Sequence, residues 1–80
     1  MKTKNPRVPV TVRALVQRIN RNLAKDGRAL HAARGERARL DVGDFYVIDV
    51  SVNGVVKTNV DPEAMGREMG VLQAWERVAN

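Results

Sequence analysis

With 80 residues and 44% hydrophobic content, the chain has enough for one domain with one modest core, and too much apolar character for global disorder. It has no cysteine, which excludes disulfides, thiolate metal sites and cysteine nucleophiles, and its apolar runs fall well short of the ~18 residues of a membrane-spanning helix. The net charge of +5 is unevenly placed: residues 1–40 carry eleven Lys/Arg against two acids, a balance of +9, and residues 41–80 carry three against seven, a balance of −4.

Residues 1–9, with Pro6, Pro9, Lys2, Lys4 and Arg7, have little to bury and read as a flexible basic arm ahead of a single domain at 10–80. The arm has the charge of a signal-peptide n-region. The apolar stretch that should follow is broken by Arg13, Gln17, Arg18 and Asn20, so the expected location is the cytoplasm. A helix comes next, with Thr11 as its N-cap and Asp26-Gly27 as its stop. Val12, Leu15, Val16, Ile19 and Leu23 fall on one stripe at helical spacing. Arg13, Gln17, Arg21 and Lys25 form a line of i+4 steps opposite, with Arg18 beside it. The helix is amphipathic, with one cationic face.

Leu30-His31-Ala32-Ala33 favours helix by propensity, but Gly27 and Gly35 bracket too few residues for an independent helix. A short edge strand at about 29–34 is the better reading, with a polar loop from Gly35 to Gly43. Phe45 to Val52 is the clearest strand, and residues 55–60 make its hairpin partner. A two-residue Asn53-Gly54 turn would set Val50 opposite Lys57 and mix polar with apolar residues on one face. A three-residue loop with Gly54 left-handed pairs Val50 with Val56, Ile48 with Thr58, Tyr46 with Val60 and Asp49 with Lys57. The second register is therefore expected. Asp61-Pro62-Glu63 starts another helix, Gly70 can end it, and Val71, Leu72 and Trp75 predict a further turn or helix docking the C-terminus.

The fold expected is α+β: an N-terminal amphipathic helix, a two- or three-stranded antiparallel sheet on the 45–60 hairpin, and a C-terminal helical segment. Both helices should cover a face formed by Tyr46, Ile48, Val50, Val56, Thr58 and Val60.

Little in the chain suits catalysis. His31 is the sole histidine and lacks companions at ligand spacing, so a partly buried or surface histidine is the simpler reading. Asp44 and Asp49 lie five steps apart on a strand and face opposite sides, which argues against a metal cluster with Asp41. Ser51 has no base in view, and the glycines match no phosphate loop or dinucleotide fingerprint, so neither enzyme activity nor a cofactor or metal is expected.

The cations remain. Arg13, Arg18, Arg21 and Lys25 on the helix, followed by Arg28, Arg34, Arg37 and Arg39, are the candidate nucleic-acid-binding set, and arginine's planar fork suits phosphate. The plainer reading is a solvated face neutralised by acids of the second half. Single-strand stacking would need exposed aromatics, for which Phe45 is the offer, with Tyr46 and Trp75 assigned to the core.

The stretches 13–21, Gly43 to Asp49, Val60-Asp61 and Gly70-Val71-Leu72 resemble small uncharacterised proteobacterial proteins often carried on integrated mobile elements. The resemblance spans about residues 9–76 and implies a bacterial accessory protein, with no activity or site residue to transfer. The expected function is a small non-catalytic nucleic-acid-binding module that contacts the phosphate backbone. The rival is a protein-interaction module that turns the same basic face to an acidic partner. Self-association of the basic half with the acidic half is a third possibility, and no membrane is involved.

Overall fold

A computed structural model describes residues 8–79. Strand β1 (Val8–Val10) leads into helix α1 (Val12–Leu23), and a turn of 3-10 helix at Ala24–Asp26 carries the chain to β2 (Arg28–Ala32). Helix α2 (Gly35–Val42), the hairpin strands β3 (Phe45–Asp49) and β4 (Gly54–Lys57), helix α3 (Pro62–Met69) and strand β5 (Glu76–Val78) complete the order. Strands β2, β3 and β4 form an antiparallel sheet in that order, and β1 and β5 form a parallel pair. The architecture is α+β, as the sequence predicts.

Helix α1 begins and ends as its residues require. Thr11 accepts from the Ala14 N–H at 3.1 Å, and Gly27 closes the 3-10 turn in the left-handed region at φ 70°. Leu15 and Ile19 at the centre of the stripe are fully buried, while Val16 and Leu23 pack at the margin. Around them the core gathers Val10, Leu30, Val47, Val60 and Leu72, one residue from each surrounding segment. Helix α3 also follows its caps. Asp61 accepts from the Glu63 N–H at 3.0 Å, Pro62 takes the first helical position, and Gly70 ends the helix at φ 76°.

Helix α3 meets α1 through Gly66, which is buried in mid-helix. A Cβ there would lie 2.8 Å from Leu15 Cδ1 and 3.3 Å from Leu72 Cβ. Gly66→Ala gains up to about 1 kcal/mol of helix propensity but forces apart a contact whose Leu15 partner has no free volume to enter. Overpacking of this kind costs about 1–3 kcal/mol, so a net loss is expected in urea unfolding. The same alanine placed in a Leu15→Ala background should cost less, because it grows into the cavity. A purely additive pair would show that the two residues do not meet.

The edge strand expected near 29–34 is present as β2 and makes the sheet three-stranded. Its register with β3 sets Leu30 opposite Val47 and His31 opposite Tyr46. The outer edge of β2 is closed by Asn20 of α1. Its Oδ1 accepts from the Leu30 N–H at 2.6 Å and its Nδ2 donates to the Leu30 carbonyl at 3.1 Å. One amide side chain thereby satisfies both buried backbone groups of Leu30 and clamps helix to sheet.

Four expectations are corrected. Residues 35–43 are not a loop: Gly35–Val42 is helix α2, with Glu36 in its first turn and Arg39 in its last, each matching the helix dipole. The helix is only eight residues long with no fully buried side chain, and it is fastened at its end. Gly43 (φ 83°) passes so close to Asn59 that a Cβ would meet the Asn59 backbone at 2.9 Å, and the Asn59 N–H donates to the Val42 carbonyl at 2.8 Å.

The hairpin register is neither of those weighed. Asp49 pairs with Gly54, Ile48 with Val55 and Val47 with Lys57, with an irregularity between the last two. Asp49 Oδ1 accepts from the Ser51 N–H at 3.0 Å and hydroxyl at 2.7 Å, so the turn starts at Asp49 and runs over residues 50–53. Asn53, not Gly54, takes the left-handed conformation, at φ 54°.

The sheet's core face is consequently the opposite of the one expected. Phe45 and Val47 face the helices with Leu30, while Val50, Val55 and Val56 are exposed and the His31 and Tyr46 rings stack outside with centroids 5.8 Å apart. Of the six residues expected inside, only Val60 belongs to the core.

Finally, the turn expected after α3 is present, but it leads into a strand and not into a further helix. Leu72 docks in the core, and β5 then lies parallel to β1, with the Val8 N–H donating to the Trp75 carbonyl and the Ala79 N–H to the Val10 carbonyl, both at 2.8 Å. Val8 and Pro9 therefore belong to the fold, and Pro9, whose ring has no N–H to give, points its nitrogen away from β5. The rest of the arm expected at 1–9 lies outside the described residues.

Candidate nucleic-acid interface

Arg18 occupies a different environment from the other cations of α1. Its Nη1 donates to Glu76 Oε1 at 2.8 Å and to the Val71 carbonyl at 2.9 Å. Glu76 is only 7% exposed, and it also accepts from the Gln73 N–H at 2.9 Å. Arg67 of α3 supports the same loop from the other side, donating to the Glu76 and Gln73 carbonyls and to Glu63, each at 3.1 Å. Arg18 is thus a clamp for the 71–76 loop, with its charge matched by a buried carboxylate.

The pair perturbs both titrations. The hydrogen bond from Arg18, then that from the Gln73 N–H, hold the Glu76 carboxyl below its ordinary 4.5 against the opposing effect of burial, and the bond to Glu76 raises Arg18. Because the folded-state value of Glu76 is the lower one, the unfolded chain binds more protons in acid. The stabilisation is whole above 4.5 and is lost as pH falls through the depressed folded value. Asp49, lowered by its bonds from Ser51, adds a loss below its ordinary 3.8. Glu76→Gln should therefore lower the urea midpoint at about pH 7 and narrow the gap between midpoints at about pH 7 and pH 3. An undiminished gap in the variant would disprove the assignment.

Arg13, Arg21 and Lys25 have no acidic partner among the described residues and lie exposed along α1 and its 3-10 extension. Arg21 and Lys25, with Asn22, form one wall of a 560 Å³ groove whose other wall is the 71–76 loop, including Gln73 and Trp75. The Arg18–Glu76 pair lines it too, its charges mutually cancelled. The positive charge that the groove offers a ligand is therefore that of Arg21 and Lys25.

The remaining candidates do not converge on this groove. Arg28 stands across the sheet from Asp49, and its charge helps hold that carboxylate ionised. Arg39 lies 3.9 Å from Asp44, while Arg34 and Arg37 are exposed and free of ion pairs among the described residues. These last three belong to α2 and its N-cap, and α2 packs against β3. Among the described residues no group of three or more His, Cys, Asp or Glu could hold a metal ion, and no helix is long and apolar enough to cross a membrane.

The aromatic assignments are also exchanged. Phe45 packs against the core, whereas Trp75 is 62% exposed on the groove, and Tyr46 lies on the outer sheet face rather than in the core. No local signal marked Trp75: it turns outward beside Glu76, which is buried against Arg18 from 58 residues away. Comparison with known proteins finds no matching family model and no similar curated protein or solved structure. The resemblance to mobile-element proteins stands on the sequence stretches alone.

Proposed function

We propose that the protein is a small, non-catalytic nucleic-acid-binding module that grips the phosphate backbone through α1. The observation that carries the reading is the division of labour on this helix. Arg18 is neutralised by a buried acid, while Arg21 and Lys25 stand unpaired on the same groove, with Arg13 two turns back. An arginine that served only to hold the loop needs no cationic neighbours, and those neighbours carry a charge the fold does not compensate. Arg34 and Arg37 add to the surrounding positive field.

Phosphate contacts of this kind displace condensed counterions, which makes salt the diagnostic variable. Labelled duplex and single-stranded DNA and RNA should bind at about 50 mM salt and release steeply towards about 200 mM. An absence of binding to all four at low salt would refute the proposal and favour an acidic protein partner.

A further inference from the structure

We infer that the groove takes single-stranded nucleic acid, with one base stacked on Trp75 and the adjoining phosphates held by Arg21 and Lys25. The inference rests on the phosphate-binding reading and extends it from charge to strandedness.

Trp75 is the largest aromatic side chain of the protein, yet it is 62% exposed. Its position is not a loose one. Its carbonyl accepts from the Val8 N–H at 2.8 Å, and the next residue, Glu76, is locked by Arg18 at 2.8 Å. The backbone that carries the indole is therefore anchored at Trp75 and at the residue after it, so the chain there has less conformational freedom to lose on binding. Facing it across the groove, Arg21 and Lys25 lie one helical turn apart on α1 and its 3-10 extension. An aromatic platform beside clustered cations is the pairing that single-strand binding uses, because each base offers a π face and each linkage a negative charge. At 560 Å³ the groove lies within the range of ordinary ligand sites. A duplex interior hides its base faces, so it can use the cations but not the indole.

The chain has one tryptophan, so its fluorescence reports this site alone. The probes are an oligothymidylate of about ten nucleotides, thymidine monophosphate and a mixed-sequence duplex, the length being within the ~4–16 nucleotides of known single-strand sites. The oligothymidylate should quench Trp75 and bind more tightly than either of the others. By fluorescence anisotropy of labelled oligothymidylate, Trp75→Ala should weaken binding about tenfold, within the range measured for loss of one stacked base. Trp75→Phe retains an aromatic face and should bind closer to the parent than to the alanine variant. The position is exposed, and a melting curve for each variant checks that the fold is kept.

Equal binding of strand and duplex without quenching, or an alanine variant that binds like the parent, would overturn the stacking inference and leave phosphate binding in place. Failure of every probe to bind would overturn both. Monophosphate binding as tight as that of the strand would replace the strand with a free nucleotide and overturn the inference as stated.

Discussion

Truncating Leu15 or Ile19 to alanine should each cost about 2–5 kcal/mol of unfolding free energy, enough to leave the domain barely folded. Both side chains are fully buried, where α1 packs against β2 and α3 in the shared core. The loss has two parts, the forgone transfer of several methyl and methylene groups and the cavity that the close-packed surroundings cannot fill. A chain of 80 residues has only about 4–12 kcal/mol in total on the usual per-residue scale, so either change is a large share. Leu23→Ala should cost less, since Leu23 is only partly buried at the end of the same stripe. Arg21→Ala should stay within about 0.5 kcal/mol because it is solvent-facing. Urea midpoints for the four variants test the ranking. Equal losses at Arg21 and Ile19 would mean that the helix faces are reversed.

The second large effect is on binding. Changing Arg13, Arg21 and Lys25 together to Gln should lower the logarithmic salt slope by about 2–3, at about 0.7–0.9 for each phosphate that is no longer neutralised. Measured binding at low salt should fall to near the background set by Arg34 and Arg37. Arg18 is deliberately left in place. Arg18→Gln would remove the clamp on Glu76 and lower stability, so its effect on binding would mix two causes. Lys57→Gln and Arg77→Gln, on the exposed faces of β4 and β5, serve as controls and should leave the slope nearly unchanged. A triple variant that keeps the parental slope would move the phosphate-binding surface to the α2 cations or to the arm.

How far these features could be read in advance depends on the distance over which each is determined. The α1 stripe was legible because a period of 3.6 residues repeats within the helix, and both caps lie within four residues of what they cap. The existence of β3 was legible from its β-branched and aromatic residues, and that of β2 only from Gly27 and Gly35, which leave too little chain between them for a helix. The face of β3 was not. Phe45 and Val47 alternate with Tyr46 and Ile48, so neither side is marked by polarity, and alternation alone decides nothing when both faces are apolar. Helix α2 was missed because eight residues without a buried stripe are marginal alone, and its anchoring comes from Asn59. Within the candidate set, charge and spacing identified Arg13, Arg21 and Lys25 correctly as exposed but could not separate Arg18 from them.

The amino-acid sequence by itself determined the helices that carry their own caps and periodicity, the presence of β2, β3 and β4, and a positive first half. Only the tertiary structure decided which sheet face is core, since Asn20 must reach the Leu30 backbone while Leu15 and Ile19 cover Val47. It also decided which arginine is spent on structure, because Arg18 meets Glu76 across 58 residues, and which aromatic reaches the groove, because β5 pairs with β1 and turns Trp75 out. Propensity and capping act within a turn or two of chain, where the sequence can be read directly. Pairings between distant segments depend on which of several nearly equal packings buries its polar groups with partners, and that balance is struck only in the folded whole.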